Sequence, residues 1–327
     1  MYLSFGFVTY IFACIYVLIH TDPLTVHVDR WDAIIYWWDA FFKGTFPYAA
    51  RTRWGGFPSP LPFLQLIYLP SYLEHEIGLT NMLLAPILVL YLRHFRKLTI
   101  NNTLITLYLL ISSLPLWWEI SVRSTLFING LFALLILDVC YLLLSNGSFK
   151  SSIISGIIIG LMVSSRLIMI IPLISGLSFI YFNKVPPKSI LLLIFCAFSA
   201  FVVTFVPLIW IWDIESLLKN NPFIHHNNHM PIAFTIIYLI TSISIGYYVK
   251  NKLMFLMLNG ILLYVIALVF VGNEIFKYGI SEAYLSNHST GDISYFILSI
   301  PILVSTIPIT EVEKSNLYEY SVNSHVN

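Results

Sequence analysis

The chain has 327 residues, of which 58% are hydrophobic, 16% aromatic and only 10% charged, and its formal net charge is +1. A soluble globular domain usually carries about 25% charged residues, so this composition excludes a soluble fold of the same length. The net charge gives no attraction to nucleic acid, which is not expected as a partner. Cys14, Cys140 and Cys196 lie far apart in apolar runs and indicate neither a disulfide framework nor a metal site.

The first apolar segment, residues 3–20, has the length of either a signal peptide or a membrane span. It lacks a preceding basic region and a small-x-small cleavage site, and further apolar segments follow it. We therefore predict that this segment is a retained first span.

Apolar stretches that can cross the hydrocarbon core as helices recur along the whole chain. They predict an all-α, polytopic transmembrane bundle of about ten spans, which forms a single transmembrane domain over residues 1–310. A short polar cytoplasmic tail is expected at residues 311–327. The predicted spans lie near residues 3–20, 79–95, 103–118, 124–144, 151–165, 167–183, 188–211, 231–249, 253–272 and 293–310.

The distribution of charge suggests an orientation for these spans. With a cytoplasmic N-terminus, the inner loops hold clustered Lys and Arg with almost no acidic residues, and most Asp and Glu fall outside. The first outer loop also carries Arg30, Lys43, Arg51 and Arg53, so the basic residues alone do not decide the orientation. We predict an integral membrane protein with both termini cytoplasmic, in a bacterial inner membrane or, in a eukaryote, the endoplasmic reticulum membrane.

All tryptophans fall on the outer side under this topology. An aromatic belt at the headgroups would populate both sides of the membrane. Two interpretations stay open, a belt distributed by chance or a stacking surface for a ligand on the outer face. The tryptophans are Trp31, Trp37, Trp38, Trp54, Trp117, Trp118, Trp210 and Trp212.

Residues 21–78 form a long outer loop that is too rich in aromatic and apolar residues to be disordered. Residues 31–43 have the periodicity of an amphipathic helix, which we expect to lie along the membrane surface. Its apolar face holds Trp31, Ile34, Ile35, Trp38, Phe41 and Phe42, and its polar face holds Asp32, Tyr36, Asp39 and Lys43.

A second apolar element runs from Leu61 to His75, after a Pro-rich turn at residues 57–60. A short span there would place the basic cluster at residues 93–97 outside the membrane. An interfacial or re-entrant helix is therefore preferred, which gives the outer loop two juxtamembrane helices.

The first outer loop resembles that of the GT-C glycosyltransferases, polytopic enzymes that use sugars linked to lipid phosphates. The likeness rests on the spacing Asp32-x3-Tyr36-x3-Ala40-x3-Gly44-x2-Pro47-Tyr48, followed by the Pro-rich turn and the apolar element. Shorter likenesses lie at residues 119–124, 156–166 and 292–301. The resemblance implies a GT-C-like fold and an inverting transfer, on the outer face, from a polyprenyl-phosphate-linked donor to a glycan or lipid-linked acceptor.

Such a reaction needs a carboxylate to deprotonate the acceptor hydroxyl, and cationic side chains for the departing lipid phosphate. The resemblance implies Asp32 as the base, with Asp29 as the second choice. Arg51, Arg53, Arg123 and Arg166 are candidate ligands of the donor phosphate. Candidate sugar- or acceptor-binding residues are Tyr36, Trp54, Trp118, Glu119, Asn221, His225 and His226.

Several polar residues have more than one interpretation. The histidines at 225–229 can form a metal site, bind phosphate or sugar, or belong to a polar loop without a direct role. Glu119 can bind sugar hydroxyls or pair with Arg123 one turn later. Asp138 lies inside an apolar span and is expected to join helices through a hydrogen bond. No cofactor is assigned, and a divalent cation is left open.

Two other functions compete with glycosyl transfer. The histidine-rich loop suits a membrane acyltransferase, or a polysaccharide polymerase or ligase, that acts on the same face. A transporter or flippase would place charged residues near the bilayer midplane and broken helices in paired positions. The charges of this chain instead gather on the predicted outer face.

Overall fold

The structure is a computed structural model that describes residues 2–25, 28–145, 148–225, 232–285 and 293–306. The regular secondary structure of these ranges is entirely helical, which confirms the predicted all-α class. The expected tail at residues 311–327 and the end of the last predicted span lie outside these ranges.

The helices follow the apolar runs of the sequence. Their bounds are α1 Tyr2–His20, α2 Arg30–Phe42, α3 Pro62–Leu73, α4 Gly78–Phe95, α5 Ile100–Ile111, α6 Leu114–Ser121, α7 Leu126–Ser145, α8 Phe149–Val163, α9 Ile170–Phe182, α10 Pro187–Val203, α11 Val206–Trp212, α12 Ile214–Lys219, α13 Pro222–His225, α14 Ile232–Tyr248, α15 Lys252–Ile280 and α16 Ile300–Val304. Short 3-10 segments lie at Pro47–Ala49, Leu167–Met169 and Ile293–Leu298.

Five helical segments of the described chain are long and apolar enough to cross a membrane, and α5 with α6 forms a sixth, bent by 59°. The protein is thus an α-helical integral membrane protein. The predicted count of about ten spans is not confirmed, because the helices at the other predicted spans are shorter. For example, α8 has 15 residues and rises about 22 Å, against a hydrocarbon core of about 30 Å.

The tightest helix pair is α8 with α10, which approach each other at glycines. A Cβ atom at Gly156 would lie 2.6 Å from the carbonyl oxygen of Leu193, and one at Gly160 would overlap the carbonyl of Ala197. Small residues four apart let helix backbones come into contact. Because the contacts advance in the same direction on both helices, α8 and α10 run parallel and begin at the same end of the bundle.

A buried ionic cluster joins α4, α7 and α15. Asp138 of α7 accepts hydrogen bonds from Arg96 Nη2 at 2.7 Å and from Tyr91 Oη at 2.8 Å, and it lies 3.4 Å from Lys252 Nζ. Asp138 and Arg96 are both buried, so each charge depends on the other for compensation. The expectation that Asp138 joins helices through hydrogen bonds is therefore confirmed.

The first long loop folds into the body of the protein through α2 and α3. Gln65 Nε2 donates to the carbonyl of Ala33 at 3.1 Å, and Trp38 Nε1 donates to the carbonyl of Gln65 at 3.1 Å. These bonds hold α2 and α3 side by side. After α2 the chain turns at Gly44, whose φ of +73° is the left-handed conformation that glycine adopts most readily.

The helix predicted at residues 31–43 is confirmed as α2, but the burial of its side chains follows the two predicted faces only in part. The predicted apolar residues Ile34, Ile35 and Trp38 are buried, whereas Phe42 is exposed. Asp32, from the predicted polar face, is completely buried. The protein itself therefore covers part of the polar face.

Candidate functional site

The candidate site forms where the start of α2 meets a tight turn at residues 51–56, called here the 51–56 turn. Thr52 N donates to the carbonyl of Gly56 and Gly55 N donates to the carbonyl of Thr52, both at 2.9 Å. A Cβ atom at Gly56 would lie 2.8 Å from Asp29 Oδ2. A larger residue at position 56 would therefore displace the Asp29 carboxylate.

Arg53 of this turn holds one oxygen of the Asp32 carboxylate. The backbone N and the Nε of Arg53 both donate to Asp32 Oδ2 at 2.9 Å. Arg53 Nη2 also donates to the carbonyl of Pro23 at 2.9 Å. The Asp32 side chain is 0% exposed and that of Arg53 is 19% exposed, so Arg53 closes the carboxylate from solvent.

The second oxygen of Asp32 has no such contact. Asp32 Oδ1 is buried and accepts no hydrogen bond from the residues that the structure describes. Buried polar atoms are normally hydrogen-bonded, because an unpaired carboxylate oxygen costs free energy. Asp32 Oδ1 is thus an unused hydrogen-bond acceptor enclosed at the start of α2.

Asp29 is bound differently from Asp32, although both are acidic residues at the start of α2. Asp29 Oδ2 accepts a hydrogen bond from Thr52 Oγ1 at 2.9 Å, and its side chain does not cap α2. Its carboxylate is thus engaged in fixing the 51–56 turn. The two carboxylates therefore differ in their partners, since Asp29 binds Thr52 and Asp32 binds Arg53.

Arg51 and Trp54 lie on the outer surface of the same turn. The guanidinium carbon of Arg51 lies 3.4 Å from the centre of the Phe57 ring, and its Nη1 donates to the carbonyl of Gly55 at 3.1 Å. Arg51 and Trp54 are both exposed. The 51–56 turn therefore presents a cation and an indole at the protein surface.

Tyr36 lies one helical turn after Asp32, on the same face of α2. Burial raises the pKa of its phenol, Asp32 raises the pKa further, and Arg53 opposes the rise. The start of α2 and the 51–56 turn thus hold Tyr36 and five other predicted site residues, which are Asp29, Asp32, Arg51, Arg53 and Trp54.

Sequence analysis gave no role to Thr52, or to the contact between Arg30 and Tyr295. The Arg30 guanidinium carbon lies 5.0 Å from the centre of the Tyr295 ring, which belongs to the 3-10 segment Ile293–Leu298. No local pattern signals a contact between residues so distant in the chain. It brings the last described segment to the start of α2.

Arg123 is not part of the candidate site at the start of α2. Its side chain is 1% exposed and contacts the carboxylate of Glu76 through two hydrogen bonds of 3.1 Å. Its terminal nitrogens also donate to the carbonyls of Leu18, at 2.8 Å, and Ser121, at 2.7 Å. All of its nitrogens are engaged, so this arrangement leaves none for a donor phosphate.

Of the two interpretations of Glu119, pairing with Arg123 is not what the structure shows, because Arg123 pairs with Glu76. Glu119 Oε1 instead accepts a hydrogen bond from the backbone N of Phe127 at 2.7 Å, at the start of α7. A carboxylate at this position stabilises the positive end of a helix. Trp118, its neighbour in α6, is partly buried.

Arg166 lies with Glu119 in a second polar cluster, which adjoins α3. Arg166 Nη2 donates to Thr125 Oγ1 at 3.2 Å, and Leu61 N at the start of α3 donates to the carbonyl of Ser165 at 2.9 Å. Burial raises the pKa of Tyr68 in α3, Glu119 adds to the rise and Arg166 opposes it. The charges of Glu119 and Arg166 therefore lie close enough to α3 to affect the pKa of Tyr68. The helix α2 packs against α3 as well.

The loop near residue 221 gives little information on ligand binding. Asn221 Oδ1 accepts a hydrogen bond from Phe223 N at 2.8 Å and so caps the short helix α13. The side chain of His225 and the whole of His226 lie outside what the structure describes. Among the described residues, no group of three His, Cys, Asp or Glu side chains is placed to hold a metal ion.

Comparisons with protein families, with curated proteins and with solved structures give no match. The fold defines the class of polytopic α-helical membrane proteins. Its candidate site is the buried Asp32 carboxylate at the start of α2, which Arg53 of the 51–56 turn binds.

Proposed function

We propose that the protein is a glycosyltransferase of GT-C type. It moves a sugar from a polyprenyl-phosphate-linked donor to an acceptor hydroxyl on the outer face of the membrane, with inversion at the anomeric carbon. The observation that carries the proposal is the state of Asp32. One of its oxygens is fixed by Arg53, and the other is buried without a partner in the described structure.

In this proposal Asp32 Oδ1 accepts the proton of the acceptor hydroxyl as that oxygen attacks the anomeric carbon. The bond between that carbon and the phosphate oxygen breaks, and the lipid phosphate leaves with the bonding electrons. A positioned general base of this kind contributes about 10²- to 10⁴-fold to a rate. Before the donor binds, the Arg53 bonds to Oδ2 fix the orientation of the carboxylate.

Arg53 also links donor binding to the release of the base. Asp32 is closed from solvent by the Arg53 side chain, so an acceptor reaches Oδ1 only when the 51–56 turn moves. A donor phosphate competes with Asp32 for the Arg53 guanidinium, because both are anions that bind it through hydrogen bonds. Arg51, exposed on the same turn, adds a second cation for that phosphate.

The test is sugar transfer in membranes that contain the protein and radiolabelled polyprenyl-phosphate sugars. Asp32→Asn should lower the rate by at least 100-fold, about the smallest effect expected for a lost general base. Asp29→Asn is the matched control, since it makes the same chemical change nearby, and it should retain at least a tenth of the rate. Equal activity of wild type and Asp32→Asn, or no transfer from any donor by wild type, would contradict the proposal.

A further inference from the structure

A groove of about 450 Å³ lies along the first two turns of α10, at the end of the bundle where α8 also begins. Its size falls within the ~300–1,000 Å³ range of typical ligand sites. Residues on its wall are Phe149, Lys188, Ser189, Leu191, Leu192 and Phe195. None of them belongs to the candidate site at the start of α2.

The wall of this groove is apolar except at one end, which Lys188 and Ser189 form. Leu191 and Phe195 are each 66% exposed, and they lie on α10 within a segment apolar enough to span a membrane. Lys188 and Ser189 lie in the first turn of α10. From Lys188 to Phe195 the helix rises about 10 Å, so the groove runs from a polar end into an apolar region.

The polar end carries uncompensated positive charge. Lys188 is exposed and has no ion-pair partner in the part of the chain that the structure describes. Residues 146–152 and 183–190, which include the starts of α8 and α10, contain Lys150, Lys184 and Lys188 and no acidic residue. A ligand that fits this groove therefore has an anionic head and an apolar tail.

We propose that the groove binds one anionic phospholipid. The headgroup phosphate pairs with Lys188, and an acyl chain lies along Leu191 and Phe195. Basic pockets between transmembrane helices bind anionic lipid headgroups in this way. A wholly apolar partner, such as the flank of another helix, would leave the charge of Lys188 without a counterpart. The proposal concerns a lipid site and is independent of the catalytic proposal.

The experiment is native mass spectrometry of the purified protein in detergent, after addition of phosphatidylglycerol or of phosphatidylcholine with the same acyl chains. Wild type should retain phosphatidylglycerol at least fivefold more than phosphatidylcholine. Lys188→Gln should lower phosphatidylglycerol retention about fivefold, which corresponds to ~1 kcal/mol for one basic residue at the surface. Lys184→Gln is the matched control, because it removes the same charge at the same end but outside the groove.

The expected pattern is a loss specific to Lys188, with less than a twofold change in Lys184→Gln. Equal losses in the two variants would show that phosphatidylglycerol binds through diffuse surface charge and not in this groove, and the proposal would be overturned. Equal retention of the two lipids by wild type would also overturn it. Phe195→Ala tests the acyl-chain contact. It should lower the retention of phosphatidylglycerol although the charge of Lys188 is still present.

Discussion

The ion pair between Glu76 and Arg123 should be a main contributor to the stability of the bundle. Arg123 makes two hydrogen bonds to Glu76 and one to each of two backbone carbonyls, and its side chain is 1% exposed. Glu76→Gln keeps the shape of the side chain and removes its charge, so the buried guanidinium loses its compensation. Breaking one partner of a buried pair costs about 3–5 kcal/mol. Since Glu76 is 29% exposed, we expect the lower end, about 3 kcal/mol.

The measurement is the free energy of unfolding in detergent micelles, from a denaturant titration followed by circular dichroism. Lys43→Gln is the control, because it removes an exposed pair, with Lys43 Nζ 3.9 Å from Asp39 and 74% exposed. Exposed pairs contribute about 0–1 kcal/mol. If the loss in Glu76→Gln is no larger than that in Lys43→Gln, Arg123 is not dependent on Glu76 and the reasoning is refuted.

Three further changes test other parts of the fold. Gly160→Ala should destabilise the protein by about 1–3 kcal/mol, because its Cβ atom would overlap the backbone of α10. Gly272→Ala, where a Cβ atom would meet nothing within 4 Å, should be neutral or stabilising in the same denaturant titration. Lys97→Gly should raise the free energy of unfolding by up to about 1 kcal/mol, because φ at Lys97 is +51°; no gain would contradict this. Burial and a hydrogen bond to Asp39 raise the pKa of Tyr72 from 10.0 to about 12. Its contribution to stability is therefore complete below pH 10.0 and lost as pH rises through about 12. Tyr72→Phe should lose less stability than wild type between pH 9.5 and 11.5, and equal losses would refute the assignment.

The periodicity of residues 31–43 predicted a helix, which α2 confirms, and Ile34, Ile35 and Trp38 of its predicted apolar face are buried. The sequence could not predict what covers Asp32, because the covering residue, Arg53, belongs to a turn with no periodic pattern. The 3.6-residue repeat identifies which side chains share a face. It does not identify the segment that later folds over that face.

The partners of the polar residues were harder to predict from the sequence than the helices on which these residues lie. Arg123 lies at the end of an apolar stretch, as an arginine at a membrane surface would, and so it was expected to meet a phosphate. Its partner, Glu76, comes from a different part of the chain, and the pairing depends on how α1, α4 and α6 pack. The span predicted at residues 151–165 is displaced by two residues from α8, Phe149–Val163, but it has the same 15 residues, which are too few to cross a full hydrocarbon core.

The hydrogen bond from Trp212 Nε1 to the carbonyl of Gly44, at 3.1 Å, joins residues 168 positions apart. At a synthesis rate of about 5–20 residues per second, Gly44 leaves the ribosome roughly 8–34 s before Trp212. The Arg30 contact with Tyr295 forms later still. The first loop is therefore synthesised well before Trp212 and Tyr295, and its contacts with them can form only after those segments are translated. A chain truncated before α11 would lack both Trp212 and Tyr295. Even if its first spans were inserted, the contacts of Gly44 and Arg30 with these residues could not form.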